Sequence, residues 1–326
     1  MNLSKKKNIG IIIGGYSDEF EISIKSGQVV YETLKSEFNC YKIQINKKNW
    51  ILFDENEETY EIDKLNFSIK NKPALKFDCI FNAIHGSPGE DGVMQKYFNK
   101  LKIPITGCES FQSELTFDKI KCLKFLSLKG IKTANSLVVN KGIEIDYADL
   151  ENKIGFPCFV KASKSGSSFG VYKVYSQKEL NNCLNSAFEV DDNVLIEAHI
   201  EGREFSIGVI TFKNKLIVLP ITEIISSNDF FDYEAKYEGK SNEITPADIS
   251  DSLKFDLESI SKNIYKHLKL KGFSRSEFIV NESGIYYLET NTVPGLTAES
   301  ILPQQAKSAN ISLNDLFVNA INEAII

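Results

Sequence analysis

The stretch Phe273–Ser300, FSRSEFIVNESGIYYLETNTVPGLTAES, decides how this chain folds. Two runs rich in β-branched and aromatic residues, Ser274–Val280 and Ile285–Thr290, flank Glu282-Ser283-Gly284, a three-residue link that predicts a β-hairpin. With Asn281 paired to Ile285, Glu277 falls opposite Glu289 and Arg275 opposite Asn291. Strand side chains alternate, so these four polar groups share one face, while Phe278, Val280, Tyr286 and Leu288 form a core face. Opposed carboxylates repel unless a cation lies between them. Hard divalent ions such as Mg²⁺ take such oxygen-rich sets, completed by an amide oxygen and by phosphate. The alternative is a solvated outer face, but Arg275 alone would neutralise only part of the cluster. Thr292–Thr297 then breaks the strand into a Pro-Gly loop, whose backbone N–H groups suit a negative charge developing beyond the metal face.

The rest of the chain sets the bounds. Its 326 residues allow two or three domains, and the net charge of −6 argues against nucleic acid as a main partner. Six cysteines, without a C-x-x-C pair or metal spacing, suit packing in a reducing cytoplasm. Lys5-Lys6-Lys7 precedes Ile9–Ile13, but that apolar run is too short for a signal peptide, and no stretch approaches a membrane span.

Working outward to the N-terminus, Asn8–Ile13 is expected as a buried strand, followed by Gly14-Gly15 and a helix over Asp18–Phe38 capped by Ser17. Tyr41–Ile45 alternates as a second strand, and Trp50–Phe53 with Thr59–Ile62 form a surface hairpin. The apolar Cys79–Ile84 runs into His85-Gly86-Ser87-Pro88-Gly89-Glu90-Asp91-Gly92, a loop at the carboxyl end of a strand, where α/β sheets bind ligands. The G-x-G-x-x-G of a dinucleotide fold is absent.

In the middle of the chain, Ser113 or Thr116 caps a helix buried through Ile120, Leu123 and Leu126. Strand Cys158–Lys161, loop Ala162–Gly170 and strand Val171–Tyr175 make a Gly/Ser-rich unit whose N–H groups suit phosphate oxygens, although no Walker A sequence is present. Between Ile225 and Pro246 lies a long polar and aromatic loop without periodicity, a functional segment by its length. Leu253, Leu257, Ile260, Ile264 and Leu268 mark an amphipathic helix, and Ser312 caps a last one buried through Leu316, Phe317, Ala320 and Ile321.

Five motifs in order, GGYSDEFEIS, NAIHGSPGEDG, the Gly/Ser loop, YEAKY and RSE…LETNTVPGLT, resemble the D-alanine–D-alanine ligases of the ATP-grasp superfamily. The resemblance implies an α/β (α+β) three-domain ATP-grasp architecture. Residues 1–107 would be a parallel-sheet substrate domain, and 108–197 and 198–326 two domains clamping the nucleotide. It also implies ATP-dependent ligation of two D-alanines through a D-alanyl phosphate for peptidoglycan precursors. The alternatives are another carboxylate–amine ligase, a D-alanine–D-lactate ligase, or a nucleotide-binding regulator without catalysis.

By the same resemblance, Lys119, Lys161 and Lys236 approach the ATP phosphates, Glu197 the adenine and Glu204 the ribose. Glu277, Glu289 and Asn291 hold two Mg²⁺ ions, with Mn²⁺ as a substitute. Glu277 stands where the family usually has Asp. Glu19 receives the first substrate's ammonium, His85 lies near its carboxylate, and Ser167 and Tyr237 complete a bridge over both substrates. Arg275 and the Gly295 N–H stabilise the oxyanion, and Ser300 with Ile301 meets the second substrate's carboxylate, leucine being commoner at the latter. A cytoplasmic homodimer without membrane insertion is the expected state.

Overall fold

A computed structural model describes residues 6–226 and 241–325, so Lys236 and Tyr237, with the rest of the expected lid, lie outside the described residues. The first sheet is built from β1 (Asn8–Gly14), β2 (Asn39–Ile45), β3 (Trp50–Phe53), β4 (Thr59–Glu61) and β5 (Cys79–Asn82), in the order β4-β3-β2-β1-β5. β1 runs parallel to both β2 and β5. Ile9, Ile11, Ile12 and Ile13 are all buried, and an unbroken apolar run rather than alternation is what a central parallel strand requires. The β3–β4 hairpin is less superficial than expected, because Trp50 and Leu52 are buried in the core beneath it.

Helix α1 (Phe20–Leu34) lies on β1 through small residues, Ser23, Ser26 and Gly27. It is shorter than expected and Ser17 does not cap it; the Ser17 hydroxyl donates instead to the His85 carbonyl at 3.0 Å. Gly27 permits the close approach, since a Cβ there would stand 2.0 Å from Ile13 Cγ2. Gly27→Ala should therefore destabilise the fold by about 1–3 kcal/mol as the helix is forced off the sheet. A thermal melt matching the unsubstituted protein would show that the helix shifts freely.

Beyond α2 (Val93–Leu101), the single helix expected after residue 113 is two, α3 (Ser110–Phe117) and α4 (Lys119–Ser127). Asp118 divides them: its extended backbone stops α3, and its carboxylate caps α4 by accepting from the Lys121 N–H at 3.1 Å. The second sheet is antiparallel, ordered β6-β9-β7-β8, from β6 (Ser136–Asn140), β7 (Cys158–Ala162), β8 (Val171–Val174) and β9 (Asn193–Ala198). Helices α5 (Tyr147–Lys153) and α6 (Gln177–Phe188) contribute Leu150, Leu180 and Leu184 to its core.

The third sheet takes β10 (Arg203–Phe212), β11 (Lys215–Val218), β12 (Thr222–Ser226), β13 (Ser241–Ile244), β14 (Phe273–Asn281) and β15 (Gly284–Asn291). Its order is β13-β12-β10-β14-β15, with β11 also on β10. β13 falls in the stretch expected to lack strand structure; it is a short polar edge held by pairing with β12, a tertiary cause that leaves no mark on its own sequence. Helix α7 (Asp251–Leu268) buries Leu257, Ile264 and Leu268 beneath this sheet, capped by Ser250. After α8 (Ile301–Ser308), α9 (Leu313–Ile325) returns to the first sheet. Its Leu316, Phe317, Ala320 and Ile321 share a core with Ile9, Ile11 and Phe81, and the Phe81 and Phe317 rings lie 5.4 Å apart. The two ends of the chain thus close one core.

The hairpin β14–β15 keeps Glu277 opposite Glu289 and Arg275 opposite Asn291. Its turn differs from expectation: Asn281 pairs with Gly284, leaving a two-residue link, Glu282-Ser283, with Gly284 at φ 128°. The ladder shifts by one residue between Glu277 and Phe278, so Leu288 is the unpaired residue of a β-bulge. Phe278 therefore faces Tyr287, both fully buried, while Tyr286 and Leu288 leave the core positions expected for them.

Candidate active site

Between the second and third sheets lies a cleft of about 690 Å³. Lys161 and Glu197 enter it from β7 and β9, and Glu204, Glu277, Ile279, Leu288 and Glu289 from the opposite wall. Adjacent residues of a regular strand point to opposite faces, so Leu288 and Glu289 both reach the cleft only because of the bulge. Its lining combines apolar side chains such as Ile279 and Leu288 with the charged Lys119, Lys161, Glu277 and Glu289.

The cations and carboxylates are matched. Lys161 donates to Glu197 Oε2, and Lys119 donates to the Ser165 carbonyl at 2.6 Å while standing 3.5 Å from Glu289. Arg275 donates to Glu277 Oε1 at 2.8 Å. Glu197 Oε1 is buried and has no hydrogen-bond partner among the described residues, which marks it as an acceptor for a ligand's N–H group. Arg203, stacked over Phe205, grips buried Glu223 with two N–H groups at 2.7 and 2.8 Å, fixing the rim beside Glu204.

Among the described residues no three His, Cys, Asp or Glu side chains group as a metal site. The expected donors are instead two carboxylates, Glu277 and Glu289, with the Asn291 amide two residues along the same strand. An all-oxygen set of this kind fits a hard divalent cation and would need phosphate or water to complete it.

A second cluster joins the first sheet to the Pro-Gly loop. Ser167, in the left-handed region at φ 47°, donates its hydroxyl to Glu19 Oε1. Gly166 beside it leaves room for that carboxylate, since a Cβ there would stand 2.3 Å from Glu19 Oε2 and push it aside. His85 Nδ1 donates to the Val293 carbonyl at 2.8 Å, so its Nε2 accepts from Ser26 Oγ at 2.8 Å in the neutral tautomer. Burial pushes the His85 pKa down, in keeping with that neutral form. Ser26 Oγ in turn accepts from the Leu296 N–H at 3.3 Å. Both ring nitrogens of His85 are thus engaged within the protein, holding the loop that carries Gly295. Ser300 Oγ lies 2.9 Å from Thr297 Oγ1 at the start of α8, and Ile301 packs against Ile224.

Glu90 was quoted within a motif but given no role by the sequence, and it proves central. Its carboxyl accepts from the Gly86 N–H at 2.9 Å and from the Val293 N–H at 3.2 Å, joining both loops. Burial, reinforced by nearby Glu19, pushes its pKa up to about 8 against those two donors. The folded state then retains a proton that the unfolded chain releases near 4.5, so stability falls as pH rises from there through about 8. Glu90→Gln should flatten this fall across that window; parallel thermal melts of the two proteins at stepped pH check it. Ser26 and Asp118 were likewise missed, since a helical serine and an inter-helix aspartate carry no signal of their distant partners.

Comparison with known proteins extends over nearly the whole chain. Residues 8–108 match the family model described as "D-ala D-ala ligase N-terminus" and 125–322 that described as "D-ala D-ala ligase C-terminus". The D-alanine--D-alanine ligase of Flavobacterium johnsoniae is 54% identical, covering 97% of this chain and 98% of its own. The crystal structure of VanG D-Ala:D-Ser ligase from Enterococcus faecalis superposes with a TM-score of 0.87 at 30% identity, covering 99% of this chain and 100% of that one. A D-alanine--D-alanine ligase from Bacillus anthracis complexed with ATP gives 0.80 at 30% identity, covering 99% and 98%.

Proposed function

The chain belongs to the D-alanine–D-alanine ligase family, and on that premise we propose that it joins two D-alanines, converting ATP to ADP and phosphate. The observation that carries the reading is a cleft lined both by Glu197, whose Oε1 has no partner among the described residues, and by the facing carboxylates Glu277 and Glu289.

In the proposed reaction the base lies against Ile279 and Leu288, donating an N–H to Glu197 Oε1, and the ribose meets Glu204. Lys119, Lys161 and, from the lid, Lys236 neutralise the phosphates. Mg²⁺, held by Glu277, Glu289 and Asn291, would supply charge neutralisation of the transferring phosphoryl group. The first D-alanine, its ammonium at Glu19, attacks the γ-phosphate through its carboxylate, the bond from the γ-phosphorus to the bridging oxygen breaks, and D-alanyl phosphate forms as ADP is released. The second D-alanine, its carboxylate at Ser300 and Ile301, attacks that carbonyl with its amine. Arg275 and the Gly295 N–H receive the oxyanion, and phosphate leaves. Ser167 and Tyr237 keep Glu19 and the substrates aligned, and His85 and Glu90 hold the Gly295 loop to the first sheet. Unpaired cysteines throughout the described residues support work in a reducing cytoplasm, and a homodimer is the assembly we propose.

A coupled assay for ADP release tests this. ADP should form only when D-alanine is added, with D-alanyl-D-alanine as product, and D-serine or D-lactate offered in competition should be taken up less. ADP release independent of D-alanine would overturn the substrate, and preferential use of another acceptor would overturn the second half of the assignment alone.

A further inference from the structure

We infer that Thr290 and Tyr287 are positioning residues whose buried hydroxyls lock the bulge at Leu288 and so hold Glu289 opposite Glu277. The inference deepens the proposed metal role of those carboxylates and rests on it. Residues three apart on a regular strand face opposite ways. Tyr287 and Thr290 nevertheless both point into the core, and the Tyr287 hydroxyl donates to Thr290 Oγ1 at 3.0 Å. That bond closes only across the extra residue.

Two further contacts anchor it. Thr290 Oγ1 lies 2.8 Å from Ser276 Oγ, its paired neighbour on β14, and the Tyr287 hydroxyl lies 3.3 Å from Cys122 Sγ on α4. The Tyr287 N–H donates to the Lys132 carbonyl at 2.9 Å, so the second sheet's side of the molecule also pins the bulged strand. The alternative is a ladder that continues in the register of the turn. Leu288 would then oppose Glu277, and Glu289 would turn to the core side, because a one-residue slip reverses every side chain. Apolar residues at 287 and 290 would pack in either register; hydroxyls that need each other fit only one. Four polar groups in a fully buried place are otherwise hard to account for.

The test uses the full chain with ADP present and Mn²⁺ as the probe, free Mn²⁺ being read by electron paramagnetic resonance. Thr290→Val and Tyr287→Phe should weaken Mn²⁺ binding by about ten- to a hundredfold, the usual effect of removing support behind metal ligands. Thr290→Ser, which keeps the hydroxyl, should bind as the unsubstituted protein does. Thermal melts of each variant separate this from general loosening, and Tyr287→Phe decides the matter where Thr290→Val does not fold. Unchanged Mn²⁺ affinity in Tyr287→Phe, or equal losses in Thr290→Ser and Thr290→Val, would overturn the lock while Glu289→Gln still lost the metal. Absence of Mn²⁺ binding by the unsubstituted protein would instead overturn the metal reading, and the lock with it.

Discussion

Glu289→Gln should leave the fold intact and lower kcat/KM by about two to three orders of magnitude, the scale seen when one preorganised charge-stabilising group is lost. Glutamine keeps the shape and one oxygen but removes the charge that, with Glu277 opposite it, gives the cleft its donor set. On sequence grounds, relief of repulsion between two facing carboxylates would leave the variant's stability unchanged or raised. The structure favours the first outcome, because each carboxylate already has its own cation: Arg275 at 2.8 Å for Glu277 and Lys119 at 3.5 Å for Glu289. The Lys119 contact is long, at 3.5 Å, and glutamine keeps an oxygen to face it, so the melting temperature should barely move. Full turnover at ordinary Mg²⁺ would remove Glu289 from the proposed donor set.

How far the sequence disclosed this site depended on the range of the interactions. The hairpin was legible because alternation and turn composition are local, and so was the last helix, whose four expected core residues are all buried. The bulge was not. It depends on a hydroxyl pairing between Tyr287 and Thr290 and on an N–H given to Lys132, more than a hundred and fifty residues away in the chain. Counting from a pairing of Asn281 with Ile285 gave the right partners for Glu277 and Arg275, because the bulge makes up the residue by which the turn differs. It placed Tyr286 and Leu288, instead of Tyr287, in the core beside Phe278. Glu90 shows the same limit: a carboxylate within a loop motif reads as solvated until the Val293 N–H, two hundred residues on, is seen to reach it. Residues proposed to contact a ligand carried a pattern, whereas residues that hold those residues in place did not.

Arg275→Ala should cause a second large loss, this time in stability and activity together. Glu277 is buried and the Arg275 side chain is 13% exposed, so deleting the cation strands a buried carboxylate, at a cost of about 3–5 kcal/mol. Turnover should fall further than this instability explains, because the guanidinium is also the proposed partner of the oxyanion, a group whose removal costs about two to three decades in rate. The two effects can be parted. The double variant Arg275→Met, Glu277→Gln removes both charges while filling similar volumes, so its melting temperature should recover most of what Arg275→Ala loses. Its activity should not recover, since neither the donor nor the carboxylate returns. Arg275→Lys sits between them: it keeps the charge but has no planar fork, so it should fold well and still turn over slowly. If activity instead tracked melting temperature across all three variants, Arg275 would be a structural counter-ion to Glu277, and the oxyanion would have to be met by the Gly295 N–H without it.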